Sequence, residues 1–330
     1  MNKLKVGIDN YCLITKNMMP DEYVKWASAN GAEGVAFSGF PDILRENFTS
    51  SYLHDVRQMA QDSGLYLEWG NGQHVPMDLT SFSKKEIFSS NRKAAEEANL
   101  IGARIIRSCS GGLMRWRQDA PDTEVLLKEA VGELKKQGQM FRDNGVILAI
   151  ETHFEFTTFE LLRLFEMCEI KPDDWLGICL DTMKLLTMLE EPVAATERVL
   201  PWIVSTHIKD GGIFSGEDGI TTFPAPLGKG IVDFEAIINR LKSLDKEIYL
   251  SVESHGGSFF LPVNEPWFIN RFPDLPDNEY DDLLKLAKTT SLKMETGDLK
   301  ITDRENWLLI CEERTKNDIR NLKIICDRLN

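Results

Sequence analysis

The chain has 330 residues, of which 42% are hydrophobic, 27% charged and 9% aromatic, a composition that excludes intrinsic disorder, collagen and a small disulfide scaffold. Its 52 Asp and Glu residues outweigh 38 Lys and Arg, for a formal net charge of −14, and such a surface repels phosphate backbones, which argues against nucleic acid as a partner. No run approaches 18 consecutive apolar residues, and the first residues lack the apolar stretch of a signal peptide, so a cytoplasmic protein without a membrane span is expected.

Short β-rich apolar runs alternate with segments of helical periodicity. The predicted strand 5–8 is followed by a helix at 21–30, strand 34–37 by 42–63, and strand 65–69 by 84–100. Strand 103–107 is followed by 122–143, strand 146–151 by 158–167, strand 177–181 by 192–200, and strand 203–208 by 233–243. Gly31, Gly64, Gly102 and Gly145 stand where a helix should end and the chain return to the sheet. The eighth strand, 248–253, leads into a Pro- and aromatic-rich stretch at 256–276, a polar helix near 278–290 and a final helix at 303–329. Eight strands with helices between them make an α/β fold of the (β/α)8 barrel type over residues 1–255. Residues 256–330 form a C-terminal helical extension that packs on the barrel or joins subunits in a homo-oligomer. The competing doubly wound sheet lacks its glycine fingerprint after strand one. The six cysteines are scattered with no CxxC pair, which reads as reduced, buried thiols.

The residues with chemistry to offer stand at predicted strand ends, where barrel enzymes place their working groups. Strand five ends at Glu151, strand six at Asp181, strand seven at His207 and strand eight at Glu253. One such residue alone reads as a polar group bonded to a neighbouring loop. Four on consecutive strands read as a metal site, because three buried carboxylates repel one another unless a cation neutralises them. Oxygen-rich ligation favours a hard divalent ion. Mn2+ is the expected one, with Mg2+, Co2+ or Zn2+ as alternatives.

The segments Glu151-Thr-His-Phe-Glu-Phe-Thr-Thr, Gly177-Ile-Cys-Leu-Asp-Thr and Glu190-Glu-Pro are followed by His207-Ile-Lys-Asp, Leu227-Gly-Lys-Gly-Ile-Val-Asp-Phe and Val252-Glu-Ser. In that order they resemble the xylose-isomerase-like TIM barrels, a superfamily of sugar (phosphate) isomerases and epimerases that also contains apurinic endonuclease IV. The resemblance implies that Glu151, Asp181, His207 and Glu253 bind one divalent metal. It also implies a sugar isomerase or epimerase in which the metal polarises a carbonyl and stabilises an enediolate. Glu151 and Glu253 would be the catalytic carboxylates, one on each side of the reacting carbon, with pKa values shifted toward working pH. The runner-up is a lyase or dehydratase of the same superfamily that eliminates from a 3-oxo-glycoside or an inosose.

Two departures stand out. Where the 3-epimerases carry a histidine shortly after the Asp-Thr pair, this chain reads Asp181-Thr-Met-Lys184. The arginine expected after the histidine segment is missing, since residues 211–226 contain no Lys or Arg. Substrate-binding candidates are therefore sought elsewhere. His153 and His255 lie two residues beyond Glu151 and Glu253 and share their faces if the strands continue. Lys184 stands at a substrate position or in solvent. Lys209 follows His207 closely, and Asp210 is positioned to orient either of them. His74 is placed near the barrel mouth by the loop after strand three. Trp116, like Trp69 and Phe37, offers either a sugar-stacking face or core packing. Arg107, Arg115 and Arg117 would meet an anionic substrate or water, and His54 is expected on an exposed helix face. The endonuclease reading fails on the net charge and on having only five histidines. A non-catalytic barrel fails on the intact ligand set. The expected partner is a small carbohydrate, with no nucleic acid and no membrane.

Overall fold

The computed structural model describes residues 4–110 and 112–329; Met1 and Asn330, which bound the two predicted units, lie outside the described residues. Eleven strands occur among them. In chain order these are β1 (Leu4–Asp9), β2 (Gly34–Ala36), β3 (Tyr66–Gly72), β4 (Ile105–Ser108), β5 (Ile147–Glu151), β6 (Leu176–Asp181), β7 (Ile203–Ile208), β8 (Asp210–Ser215), β9 (Ile220–Ala225), β10 (Ile248–Val252) and β11 (Phe259–Leu261). Strands β1 to β7 and β10 close into one parallel barrel, with β1 paired to both β2 and β10.

Side-chain alternation along the strands divides each one between two environments. Leu148 and Ile150 of β5, and Ile178 and Leu180 of β6, join the main core shared with the helices. Ala149 and Cys179, of the opposite parity, form a small separate cluster with Ile105 and Val204. Glu151 and Asp181 continue that second parity to the carboxyl ends of their strands. In register, Glu151 stands opposite Cys179, two residues before Asp181, and Asp181 stands opposite His207.

The helices between strands start and stop on local signals. Thr157 and Glu160 form a reciprocal capping box ahead of helix Thr158–Met167. Helix Phe88–Ile101 ends on Gly102 at φ 79°, a left-handed conformation that glycine adopts without strain. Helix Phe234–Lys242 is capped by Asp233 and buries Phe234, Ile237, Ile238 and Leu241 on one stripe. All six cysteines are free thiols. No helix among the described residues is long and apolar enough to cross a membrane.

One element departs from the sequence reading. Between β7 and helix Phe234–Lys242 the chain forms a hairpin, β8 and β9, that pairs with β11 in a three-stranded antiparallel sheet. Pro224 hid it, because proline normally argues against a strand. Here β11 covers only Ile220–Thr222 of β9, so Pro224 lies beyond the shared stretch and opposite Gly211. Helix Asp277–Glu295 packs on β8, and helix Arg304–Arg328 packs on β1, on β10 and on the short 3-10 helix Asn10–Lys16.

Asp210 begins β8 and pins the following loop rather than orienting His207 or Lys209. Its Oδ1 accepts from the backbone N–H of Gly211 at 2.8 Å and Val232 at 3.2 Å, and its Oδ2 from Gly228 at 2.9 Å and Gly230 at 2.8 Å. Gly230 admits this approach because a Cβ there would stand 2.1 Å from Asp210 Oδ1. Asp210→Asn turns an amide N–H2 against two of these donors, and a loss of about 1–3 kcal/mol is expected in urea unfolding. Unchanged stability would show that the loop is held by other contacts.

Candidate functional site

Four buried side chains converge at the carboxyl end of the barrel. One donor atom from each of Glu151, Asp181, His207 and Glu253 lies within 4.8 Å of the others. Glu151 and Asp181 close β5 and β6, His207 is the penultimate residue of β7, and Glu253 follows β10 directly. The donor set, three carboxylate oxygens and one imidazole nitrogen, fits a single divalent cation of the hard, oxygen-preferring kind.

Asp9 and Lys209 beside these groups are as buried as the groups themselves, and Arg107 is partly exposed. His207 Nδ1 lies 3.1 Å from Glu151 Oε1, and Nε2 lies 3.3 Å from Asp9 Oδ2. Asp9 also accepts from Ser38 Oγ at 2.7 Å and from the Tyr11 N–H at 2.8 Å. With Nε2 facing Asp9, the ring turns Nδ1 toward the carboxylate cluster, an arrangement typical of metal-binding histidines. Asp9 ends β1 after an apolar run just as the four donors end theirs, and that was the available signal for it. Arg107, from β4, pairs with Glu151 Oε2 and donates to the Ser38 carbonyl at 3.1 Å. Lys209 Nζ lies 2.9 Å from Asp181 Oδ2 and pairs with Glu253.

These cations reverse the expected direction of the carboxyl pKa values. Burial would raise Glu151, but Arg107 and His207 overcome it and hold the group well below the usual carboxylate range. Burial would likewise raise Glu253, yet Lys209 leads in bringing it down to about 2. Burial opposes the His207 imidazolium, but Cys179, Glu151 and Asp9 stabilise it well above its ordinary range. Both catalytic candidates are thus carboxylates at neutral pH rather than groups tuned near it. Deeper in the barrel, burial pushes Glu68 up to about 8, and its Oε2 accepts from Ser205 Oγ at 2.7 Å.

A cavity of about 510 Å³ opens onto this cluster, with Glu151, His207 and Glu253 on its wall. His153, Lys184, Lys209 and His255 also line it. His153 Nδ1 is 3.3 Å from both Cys109 Sγ and Glu155 Oε2, and those contacts raise it, against burial, to about 10. His255 is driven down to about 3 by burial and by Lys209 and Lys184, and its Nδ1–H donates to the Gly256 carbonyl at 2.9 Å. Lys184, expected in solvent or on substrate, is 2% exposed, and its ammonium lies 4.4 Å and 3.8 Å from the ring centres of Phe154 and Phe259. Burial and then repulsion from Lys209 bring it down to about 7.

Two substrate-contact candidates are not on the cavity wall. His74 is fully buried, with Nδ1 at 2.8 Å from Ser108 Oγ and 3.1 Å from Ser110 Oγ. The cause is that β3 continues to Gly72, with a register shift against β4 between Trp69 and Gly72, and the chain then turns His74 inward. Trp116 packs edge-on to Phe154 and Phe268 and donates its indole N–H to the Phe260 carbonyl at 2.9 Å. It backs the cavity wall rather than facing a sugar. Trp69 and Phe37 are core residues that contact each other at 5.6 Å. Of the three arginines only Arg107 reaches the site. Arg115 is buried against Glu160, and Arg117 pairs with exposed Asp119. His54 is exposed.

Residues 24–294 match the model of the family described as xylose isomerase-like TIM barrel. The 3-oxo-isoapionate decarboxylase of Pectobacterium atrosepticum is 25% identical over 211 residues, which are 63% of this chain and 68% of that protein. Among solved structures, the probable 3-DHS dehydratase AsbF of Bacillus anthracis superposes with a TM-score of 0.58 at 19% identity, covering 87% of this chain and 98% of that one. A D-psicose 3-epimerase determined in the presence of D-fructose gives 0.57 at 14% identity, covering 87% and 98%. At such identities the structural likeness concerns the fold.

Proposed function

The chain belongs to the xylose isomerase-like TIM barrel family, and from that premise we propose that it is a divalent-metal-dependent sugar isomerase or epimerase acting by proton abstraction beside a carbonyl. The observation that carries this reading is the convergence of four donors from the ends of four neighbouring barrel strands, three of them on the wall of one cavity. A cation bound there, with Mn2+ expected, would polarise the substrate carbonyl and acidify the adjacent C–H.

The chain's own groups supply the rest. Glu151 and Glu253 stand on β5 and after β10, which are separated around the barrel by β6 and β7. They therefore approach a bound carbon from two directions, so that one removes a proton and the other returns one. Arg107 and Lys209 keep both as carboxylates between turnovers. Asp9 fixes the His207 ring, and His153, His255 and Lys184 are left to hold the sugar hydroxyls or other polar substituents. A lyase reading has support in the decarboxylase relative; an elimination would share the first proton abstraction, whereas a decarboxylation breaks a C–C bond instead.

Solvent deuterium separates these outcomes. With the Mn2+-loaded protein in D2O, the product of a ketose or a 3-oxo-glycoside should carry one deuteron at the carbon beside the carbonyl. An isomerised or epimerised product without that label would overturn proton abstraction. Loss of a substituent with no deuteron kept at that carbon, which becomes part of the new double bond, would move the protein to the eliminating lyases. Loss of CO2 with a deuteron taken up in its place would move it to the decarboxylases.

A further inference from the structure

The cations on the cavity wall fall into two kinds. Arg107 and Lys209 are each matched by carboxylates of the cluster. Lys184 and Arg304 line the same cavity and are not. Among the described residues the Lys184 ammonium donates no hydrogen bond and pairs with no carboxylate, and only the faces of Phe154 and Phe259 hold it. Burying an ammonium without a hydrogen-bond acceptor is costly, and two ring contacts offset only part of that cost. Arg304 opens the C-terminal helix and lies across Gly257, whose Cβ would stand 3.1 Å from its Nε. It too lacks an acidic partner among the described residues.

Four Lys and Arg side chains thus face this cavity (Arg107, Lys184, Lys209 and Arg304) against two carboxylates, Glu151 and Glu253. That local excess of positive charge sits in a chain whose net charge is −14. We propose that the substrate is a sugar acid, and that Lys184 holds its carboxylate with Arg304 at the rim. This inference rests on the reading of the cavity as the substrate site. A carboxylate is favoured over a phosphate because the free donor at depth is a single ammonium flanked by two flat rings. A phosphate needs several donors converging on three oxygens.

Calorimetric titration of the Mn2+-loaded protein with D-gluconate, D-glucitol and D-glucitol 6-phosphate tests it. Gluconate should bind at least tenfold more tightly than glucitol. The preference should fall to about twofold in Lys184→Met, persist in Lys184→Arg, and weaken about threefold in the exposed-rim variant Arg304→Ala. Equal binding of gluconate and glucitol by the parent protein, or an undiminished preference in Lys184→Met, would overturn the proposal. Should Lys184→Met fail to fold, an undiminished preference in Arg304→Ala overturns it instead. Tighter binding of the phosphate ester than of gluconate replaces the carboxylate with a phosphate and also overturns it. A parent protein whose melting is unmoved by Mn2+ sinks the metal reading separately, since the gluconate preference is still measurable in the metal-free protein.

Discussion

Glu151→Gln should lower turnover about a thousandfold, within the range for loss of a positioned general base. The change is nearly isosteric, yet it removes the charge on which two buried cations depend. Oε1 faces His207 Nδ1 at 3.1 Å and Oε2 pairs with Arg107, so the new amide N–H2 must oppose one of these donors. Stability should fall as well, by about 1–3 kcal/mol, because Arg107, 16% exposed on the cavity wall, loses its carboxylate partner. Deuterium wash-in by the variant, measured at saturating Mn2+ on a substrate of the parent protein, reads the catalytic effect. A rate within tenfold of the parent would remove Glu151 from the chemistry and leave it a structural carboxylate.

The second large effect concerns Lys209. Its ammonium lies between Asp181 and Glu253 and is 1% exposed, so in the metal-free chain it supplies charge that the carboxylates otherwise lack. Lys209→Met should destabilise the metal-free protein by about 3–5 kcal/mol, since two buried carboxylates lose their cation. Mn2+ should then recover more stability in the variant than in the parent, because a ligand that binds only the folded state stabilises it in proportion to its affinity. Melting curves with and without Mn2+ make the comparison. An equal Mn2+ shift in both proteins would show that Lys209 and the cation do not share the same carboxylates.

The barrel was legible because each of its strands is a short apolar run between amphipathic helices. The eight predicted strands agree with the observed ones to within a few residues. The four donors were legible for the same reason, since each is an ionisable residue closing such a run. What escaped depended on contacts distant in sequence. Asp9 serves His207 past β10, which lies between their strands, and Arg107 reaches Glu151 from the neighbouring strand. Neither pairing leaves a local pattern. The downward shift of Glu151 and Glu253 followed from those partners, whereas burial alone pointed upward. Lys184 is buried because Phe154 and Phe259 meet over it, from segments more than a hundred residues apart. His74 was misplaced because the loop after strand three begins later than its glycines suggest. The β8–β9 hairpin was hidden by a proline whose place beyond the stretch covered by β11 only the partner strand reveals.

The seam between β1 and β10 joins segments of the barrel far apart in sequence. There Cys12 Sγ accepts the Ser254 N–H at 3.1 Å across 242 positions of chain. Strand β1 carries Asp9 to His207, so Glu151 and Asp181 on β5 and β6 can line up before the histidine on β7 is fixed. Joining such distant segments costs little extra free energy, because loop-closure entropy grows only with the logarithm of length. It costs time instead, since contacts of high sequence separation form slowly. Strand β1 is thus expected among the last of the barrel to be locked in place, with two carboxylates and a loose imidazole present before the pocket is finished.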